Sequence, residues 1–223
     1  MPSSELAHFL RTAIDIQATP YDGVHVAGGV MAATNGIMLV AKKFDVVFMR
    51  GEGAISPKAA KVLEALAEAT WIGSVAVVGN RVTVTAQSTR YEENVGEVAS
   101  GYCEVRLPEF YCPRAPVARM LGVLHDESRG WQQIVENPNL KALKEMSARD
   151  YVALIDNPRN GGELFRPKEI DDPHWYSVAQ LRRGLRLFGK NSRLSVRRNT
   201  KGWLAFGDQW GYTFAVTPFV KHN

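Results

Sequence analysis

A helix followed by short strands recurs four times along this chain. A unit of that kind has one apolar face and must be covered by its neighbours, so the repeat governs the fold before any single motif does. The first unit begins near Ser4. Leu6, Phe9, Leu10, Ala13 and Ile14 fall at helical spacing, with Ser3 or Ser4 as cap and Glu5, His8, Arg11, Thr12 and Asp15 on the other side. The run from 24 to 44 then reads as strands broken at Gly28-Gly29 and Asn35-Gly36. Asn-Gly between apolar runs signals a hairpin, because both turn residues take positive φ.

The second unit opens at Ser56-Pro57, a cap followed by a residue whose missing N–H is harmless in the first turn. Val62, Leu63, Leu66 and Ala69 are its expected buried face; Lys58, Lys61, Glu64 and Glu68 lie outside it. Two β-branched runs flank a Gly79-Asn80 turn, and 101–110 supplies a further strand. In the third unit Asn137-Pro138 is the expected cap. Leu140, Leu143 and Met146 form its stripe, with Lys141, Lys144, Glu145 and Arg149 polar. Residues 151–157 and 163–167 are its expected strand pair. The stretch from 108 to 136 fits no simple unit. In the fourth unit Ser177 caps a helix whose Val178, Leu181, Leu185 and Phe188 share an arc of about 80°. Strands at 193–198, 202–208 and 212–219 follow. The four units pair into two domains, 1–110 and 136–223, with 111–135 as connector and start of the second. The prediction is an α+β protein.

Composition bounds the function classes. The chain has 223 residues, 45% apolar and 22% charged, enough to bury a core without disulfides or metals. It has no uninterrupted apolar run of about 18 residues and no basic flank at its start, so a cytoplasmic location is expected. Cys103 and Cys112 read as buried thiols, with a disulfide between them as the weaker alternative, and no Cys/His set has zinc spacing. The net charge of +4 hides an asymmetry: 9 basic against 12 acidic residues in 1–110, but 18 against 11 in 111–223. Such a split points to a polyanion-facing surface.

That surface has a centre. Residues 181–201 contain Arg182, Arg183, Arg186, Lys190, Arg193, Arg197, Arg198 and Lys201, and no acid. The first four are placed on the fourth helix, on an arc of about 100° beside its apolar arc. A phosphate backbone suits such a face, because each neutralised phosphate releases counterions without any base being read. A solvated helix face or a membrane-surface helix is the other reading, although the Leu-Phe side is needed for a core. Lys58 with Lys61, and Lys141 with Lys144, add smaller basic patches.

Catalytic patterns are lacking: no phosphate loop, no dinucleotide fingerprint, no HExxH and no GxSxG. Asp171-Asp172 and His125-Asp126-Glu127 read as polar turns, with a metal-dependent nuclease centred on Asp171 or Asp172 as a third-ranked alternative. Trp203, Trp210, Tyr212 and Phe214 are expected in core packing rather than on bases.

Taken in order, several strings resemble the DNA sliding clamps. These are 30–41 (VMAATNGIMLVA), 55–66 with 75–86 (ISPKAAKVLEAL, VAVVGNRVTVTA), 96–113, 176–189 and 211–220. The resemblance implies two clamp-like domains, each with helices packed on curved antiparallel sheets. It implies a non-enzymatic ring on double-stranded DNA, without cofactor or catalytic residue. Two domains per chain imply a homotrimer, of phage or prophage type, serving a DNA polymerase and a clamp loader. The positions implied for DNA contact are Arg11, Lys58, Lys61, Lys141, Lys144, Arg149, Arg182, Arg183, Arg186 and Lys190. The pocket for partner peptides is implied at Thr217, Pro218, Phe219 and Val220. A nucleic-acid-binding protein of the same fold that forms no ring is the alternative.

Overall fold

The computed structural model describes residues 2–16, 23–92, 96–108, 145–156, 163–166, 174–198 and 202–219. The chain divides into two compact units: Met1–Ala33 with Lys42–Ala115, and Thr34–Ala41 with Pro116–Asn223.

In the first unit α1 (Pro2–Ile16) leads to β1 (Val24–Ala27) and β2 (Val30–Thr34). After β3 (Met38–Lys43) come β4 (Met49–Ile55), α2 (Pro57–Ala69), β5 (Ile72–Gly79), β6 (Arg81–Glu92) and β7 (Gly96–Arg106). The strand order is β7-β6-β5-β4-β1-β2. All these pairs are antiparallel except β4 with β5, which α2 joins as a crossover. Strand β4 carries few β-forming residues, and glycine explains how it pairs. A Cβ at Gly51, where φ is +83, would strike the Val77 carbonyl of β5.

Helix α1 buries Leu6, Phe9, Leu10, Ala13 and Ile16, each side chain contributing roughly 1.5–3 kcal/mol when large and fully buried. Ser3 does not cap α1. It lies inside the first turn, buried, where its hydroxyl accepts from Ile72 N–H at 2.7 Å and donates to Ile72 C=O at 3.4 Å. Ser56 is the cap expected for α2; its Oγ accepts from Ala59 N–H at 3.2 Å, with Pro57 next. The buried face of α2 is Ala59, Ala60, Leu63 and Ala67. It is rotated from the expected one, and Val62 is exposed. Alanines let α2 lie close beside α1. Cys103, expected buried, is exposed on β7; Cys112 is outside the described residues.

The second unit holds β8 (Met146–Ser147), α3 (Ala148–Asp156), β9 (Leu164–Phe165), β10 (Tyr176–Ser177), α4 (Val178–Leu185), β11 (Arg193–Arg198), β12 (Leu204–Gly207) and β13 (Tyr212–Val216). Its strand order is β3-β13-β12-β11-β8, with β9 and β10 as a separate pair. The three strands expected after the fourth helix are present.

The third unit differs from the sequence reading. Residues 151–156, expected as a strand, are helical, and β9 pairs with β10 instead. Met146 is in a strand rather than on a helical stripe. The cause is local: Ser147 caps α3, accepting from Asp150 N–H at 3.1 Å while its hydroxyl donates to the Asp150 carboxylate at 2.7 Å. Ala148, Tyr151 and Ile155 then fall on one buried face. The expected cap at Asn137-Pro138 lies outside the described residues.

The core of this unit is aromatic. Phe206 and Phe214 stack at 5.5 Å, and Tyr151 meets Phe206 edge-on at 5.5 Å. Helix α4 lies directly on β13: a Cβ at Gly184 would run into the Phe214 ring. Phe214 and Tyr212 are buried as expected, whereas Trp210 is exposed.

Candidate nucleic-acid interface

Helix α4 is shorter than its periodicity implies. Ser177 caps it, but it ends at Leu185, with Arg186 as C-cap. Tight turns follow: Leu187 N–H bonds Gly184 C=O at 3.1 Å and Phe188 N–H bonds Leu185 C=O at 3.1 Å. Arg182 and Arg183 are therefore on the helix, while Arg186 stands at its end and Lys190 lies beyond it. The turns keep Leu187 and Phe188 buried.

The same turns bring the second basic segment alongside. Ala148 N–H bonds Ser192 C=O at 2.9 Å, and Arg149 N–H bonds Lys190 C=O at 3.0 Å. The start of α3 is thereby tied to the segment after α4. A cavity of about 450 Å³ opens there, lined by Ala148, Arg149, Val152, Arg182, Leu185, Arg186, Phe188 and Lys190. Four of the expected DNA-contacting cations thus surround one recess, and all four are exposed. Arg182 donates to Asp156 at 2.6 Å, which offsets part of its charge. Among the described residues no ion pair engages Arg149, Arg186 or Lys190. Arg183 is exposed but lines no part of the recess.

The first unit offers a weaker field. Arg11, on α1, donates to Glu64 at 3.2 Å and to Glu68, both on α2. The Glu64 hydrogen bond, then the charge of Glu68, holds its guanidinium more firmly protonated than usual. Those carboxylates cancel what Arg11 would present. Lys58 and Lys61 are exposed on α2. Lys141 and Lys144 are outside the described residues, as are Asp171 and Asp172. Among the described residues no three His, Cys, Asp or Glu side chains are grouped to hold a metal ion. No helix among them is long and apolar enough to cross a membrane.

The residues expected at a peptide pocket sit after β13. Thr217 N–H bonds Ile37 C=O at 2.9 Å, and Phe219 N–H bonds Trp175 C=O at 2.6 Å. Ile37, Trp175 and Phe219 are 44%, 39% and 52% exposed, an apolar edge beside Thr217 and Pro218. Val220 is outside the described residues. The sequence reading missed Ile37 and Trp175. Ile37 follows the Asn35-Gly36 turn, whose Asn35 carboxamide accepts from Ile37 N–H at 3.0 Å and Met38 N–H at 2.7 Å. That turn was legible, but not which strand end it would meet.

The architecture defined by these parts is a tandem of helix pairs on mostly antiparallel sheets. No family model and no curated protein matches the sequence. In fold the chain is similar to solved structures of bacterial DNA sliding clamps. The β sliding clamp of C. crescentus is similar with a TM-score of 0.57 at 13% identity, over 98% of this chain and 64% of that one. DNA polymerase III subunit beta from Borrelia burgdorferi is similar at 0.56 and 11%, over 100% and 64%. The beta subunit of DNA polymerase from Streptococcus pyogenes is similar at 0.56 and 12%, over 99% and 64%. The chain therefore has the sliding-clamp fold and spans about 64% of the length of these clamps.

Proposed function

We propose that this chain is a DNA sliding clamp, a non-enzymatic tether that encircles duplex DNA and keeps a replicative polymerase on it. The observation that carries the reading is the gathering of Arg149, Arg186 and Lys190 at one corner of a clamp fold. Cations held there meet phosphates through counterion release, which gives affinity at every sequence and so permits sliding. Arg182, Arg183, Lys58, Lys61, Lys141 and Lys144 extend the basic surface, and Arg11 adds little. A ring of six domains built from this two-domain chain takes three copies. Once the ring closes, escape sideways is barred by topology, and weak contacts suffice. Neither metal nor cofactor has a part in this.

The apolar edge of Ile37, Trp175 and Phe219, with Thr217, Pro218 and Val220, is the proposed seat for short apolar peptides of a polymerase or a clamp loader. Phage or prophage replication in the cytoplasm of a bacterial host is the setting that fits. Native mass tests the ring: a species near three times 24.7 kDa is expected. A monomer at micromolar concentration would leave instead a DNA-binding protein of clamp fold that forms no ring. For the contacts, Arg186→Ala with Lys190→Ala is expected to lower the salt slope of duplex binding by about two. An unchanged slope removes this corner from the DNA path.

A further inference from the structure

Helix α4 is tied to β13 and its continuation at two places. Gly184, in the last turn of α4, lies against the Phe214 ring of β13. Beyond β13, Phe219 N–H bonds Trp175 C=O at 2.6 Å in an antiparallel bridge. Trp175 is followed by Tyr176 and then by Ser177, the cap of α4. These ties form a closed path: from Phe214 to Phe219 along the chain, across to Trp175, through Tyr176 to Ser177, and along α4 to Gly184. Arg182 and Arg183 are on the stretch of helix that the path encloses.

The start of α4 depends on this path. The helix has eight residues, fewer than a helix needs to hold its own ends in water. Its cap bond, from Gln180 N–H to Ser177 Oγ, is 3.5 Å long, against 3.1 Å at Ser147 in α3 and 3.2 Å at Ser56 in α2. Tyr176 is fully buried and donates its hydroxyl to Gly202 C=O at 2.7 Å. Trp175 and Ser177 therefore flank a fixed point and, at a strand's period of two, share the side opposite to it. The bond from Phe219 to Trp175 is a step of the path that solvent reaches, with the two residues 52% and 39% exposed.

We propose that the contact between Trp175 and Phe219 controls duplex binding: while it is made it sets the cap of α4 and the position of Arg182 and Arg183, and when it opens that end of α4 loosens and the hold on phosphates weakens. The inference rests on the reading that the corner of α3 and α4 meets DNA, and it adds a regulation of that corner from the apolar edge. A partner seated on Trp175 and Phe219 thereby acts on DNA binding without touching DNA, because one element couples the two places.

Amide hydrogen exchange of the full chain reads the contact, and titration of a labelled duplex at one salt concentration reads its effect. Phe219→Pro removes the N–H that bonds Trp175. It should speed exchange at Gln180 and Leu181 and weaken duplex binding, each by about fivefold, the low end of coupling between sites, with the amides of β5 and β6 unchanged. Ser177→Ala should do the same. The double variant should fall short of the product of the two single effects, because both loosen one end of α4. Unchanged exchange at 180–181, equal acceleration in β5 and β6, or a double variant that equals the product overturns the inference. So does faster exchange without loss of duplex affinity. If Phe219→Pro does not fold, the reciprocal effect decides: Ser177→Ala should speed exchange of the Phe219 amide by the same factor, and an unchanged Phe219 amide overturns the inference. A protein that in its unaltered form binds no duplex overturns the DNA reading as well, a result separate from all of these.

Discussion

His25 lies in β1 between Ala32 of β2 and Ala54 of β4, and its Nε2 is buried without a hydrogen-bond partner. Burial holds the imidazole pKa below its ordinary 6.5. The unfolded chain takes up a proton near 6.5 while the folded one resists it. Stability is therefore full above that pH and declines as pH falls below it. Urea midpoints for the protein and for His25→Leu should converge in slope above pH about 7 and diverge below about 6. Parallel curves would remove His25 as the cause. Arg11 gives a second expectation at this scale. Its exposed guanidinium is shared by two carboxylates, so Arg11→Ala should change the salt slope of duplex binding by well under the ~0.9 of one phosphate contact. A full unit lost would mean that Glu64 and Glu68 release it to DNA. Sequence could list these cations. It could not show that Arg11 and Arg182 have acidic partners, because Glu64, Glu68 and Asp156 are distant in the chain.

Two elements carry predictions. Ser147→Ala removes the cap of α3 and should cost about 1 kcal/mol in a denaturant titration. It should also weaken DNA binding, since the first turn of α3 positions Arg149 beside Lys190. Gly184→Ala sets a methyl group against Phe214 and should cost about 1–3 kcal/mol. A neutral result would show that α4 can lift from β13. The elements differ in how legible they were. Caps and tight turns were read correctly at Ser56, Ser177, Asn35-Gly36 and Gly79-Asn80, because their chemistry is local. Strand β4 was missed, because its glycines are explained only by the carbonyls of β5. Helix α3 reads as a strand in the sequence because a short apolar run such as 151–155 fits either period. The deciding signal, Ser147-Ala148-Arg149-Asp150, is a capping pattern in the sequence itself.

For the whole molecule, the clamp reading makes a claim that no single contact can satisfy. Protein assembled on a closed circular DNA should remain through a high-salt wash and leave when the circle is cut once. Release from both circle and linear DNA at the same rate would show a binder without topology. The charge asymmetry was legible from composition. Its concentration at the corner of α3 and α4 depended on the backbone bonds of Ala148 and Arg149 to the segment after α4, and these only a folded chain reveals.

Thr34–Ala41 belongs to the second unit, where β3 lies next to β13. A ribosome makes these two strands at opposite times. Met38, Leu39, Val40 and Ala41, all buried in the finished protein, leave the exit tunnel long before 212–216 has been translated. The second unit can close its sheet only after that late strand appears, so the edge of β3 that meets β13 stays unpaired through most of synthesis. Slow translation of the region between them prolongs that exposure, and a chaperone that holds nascent apolar strands should raise the yield of soluble protein.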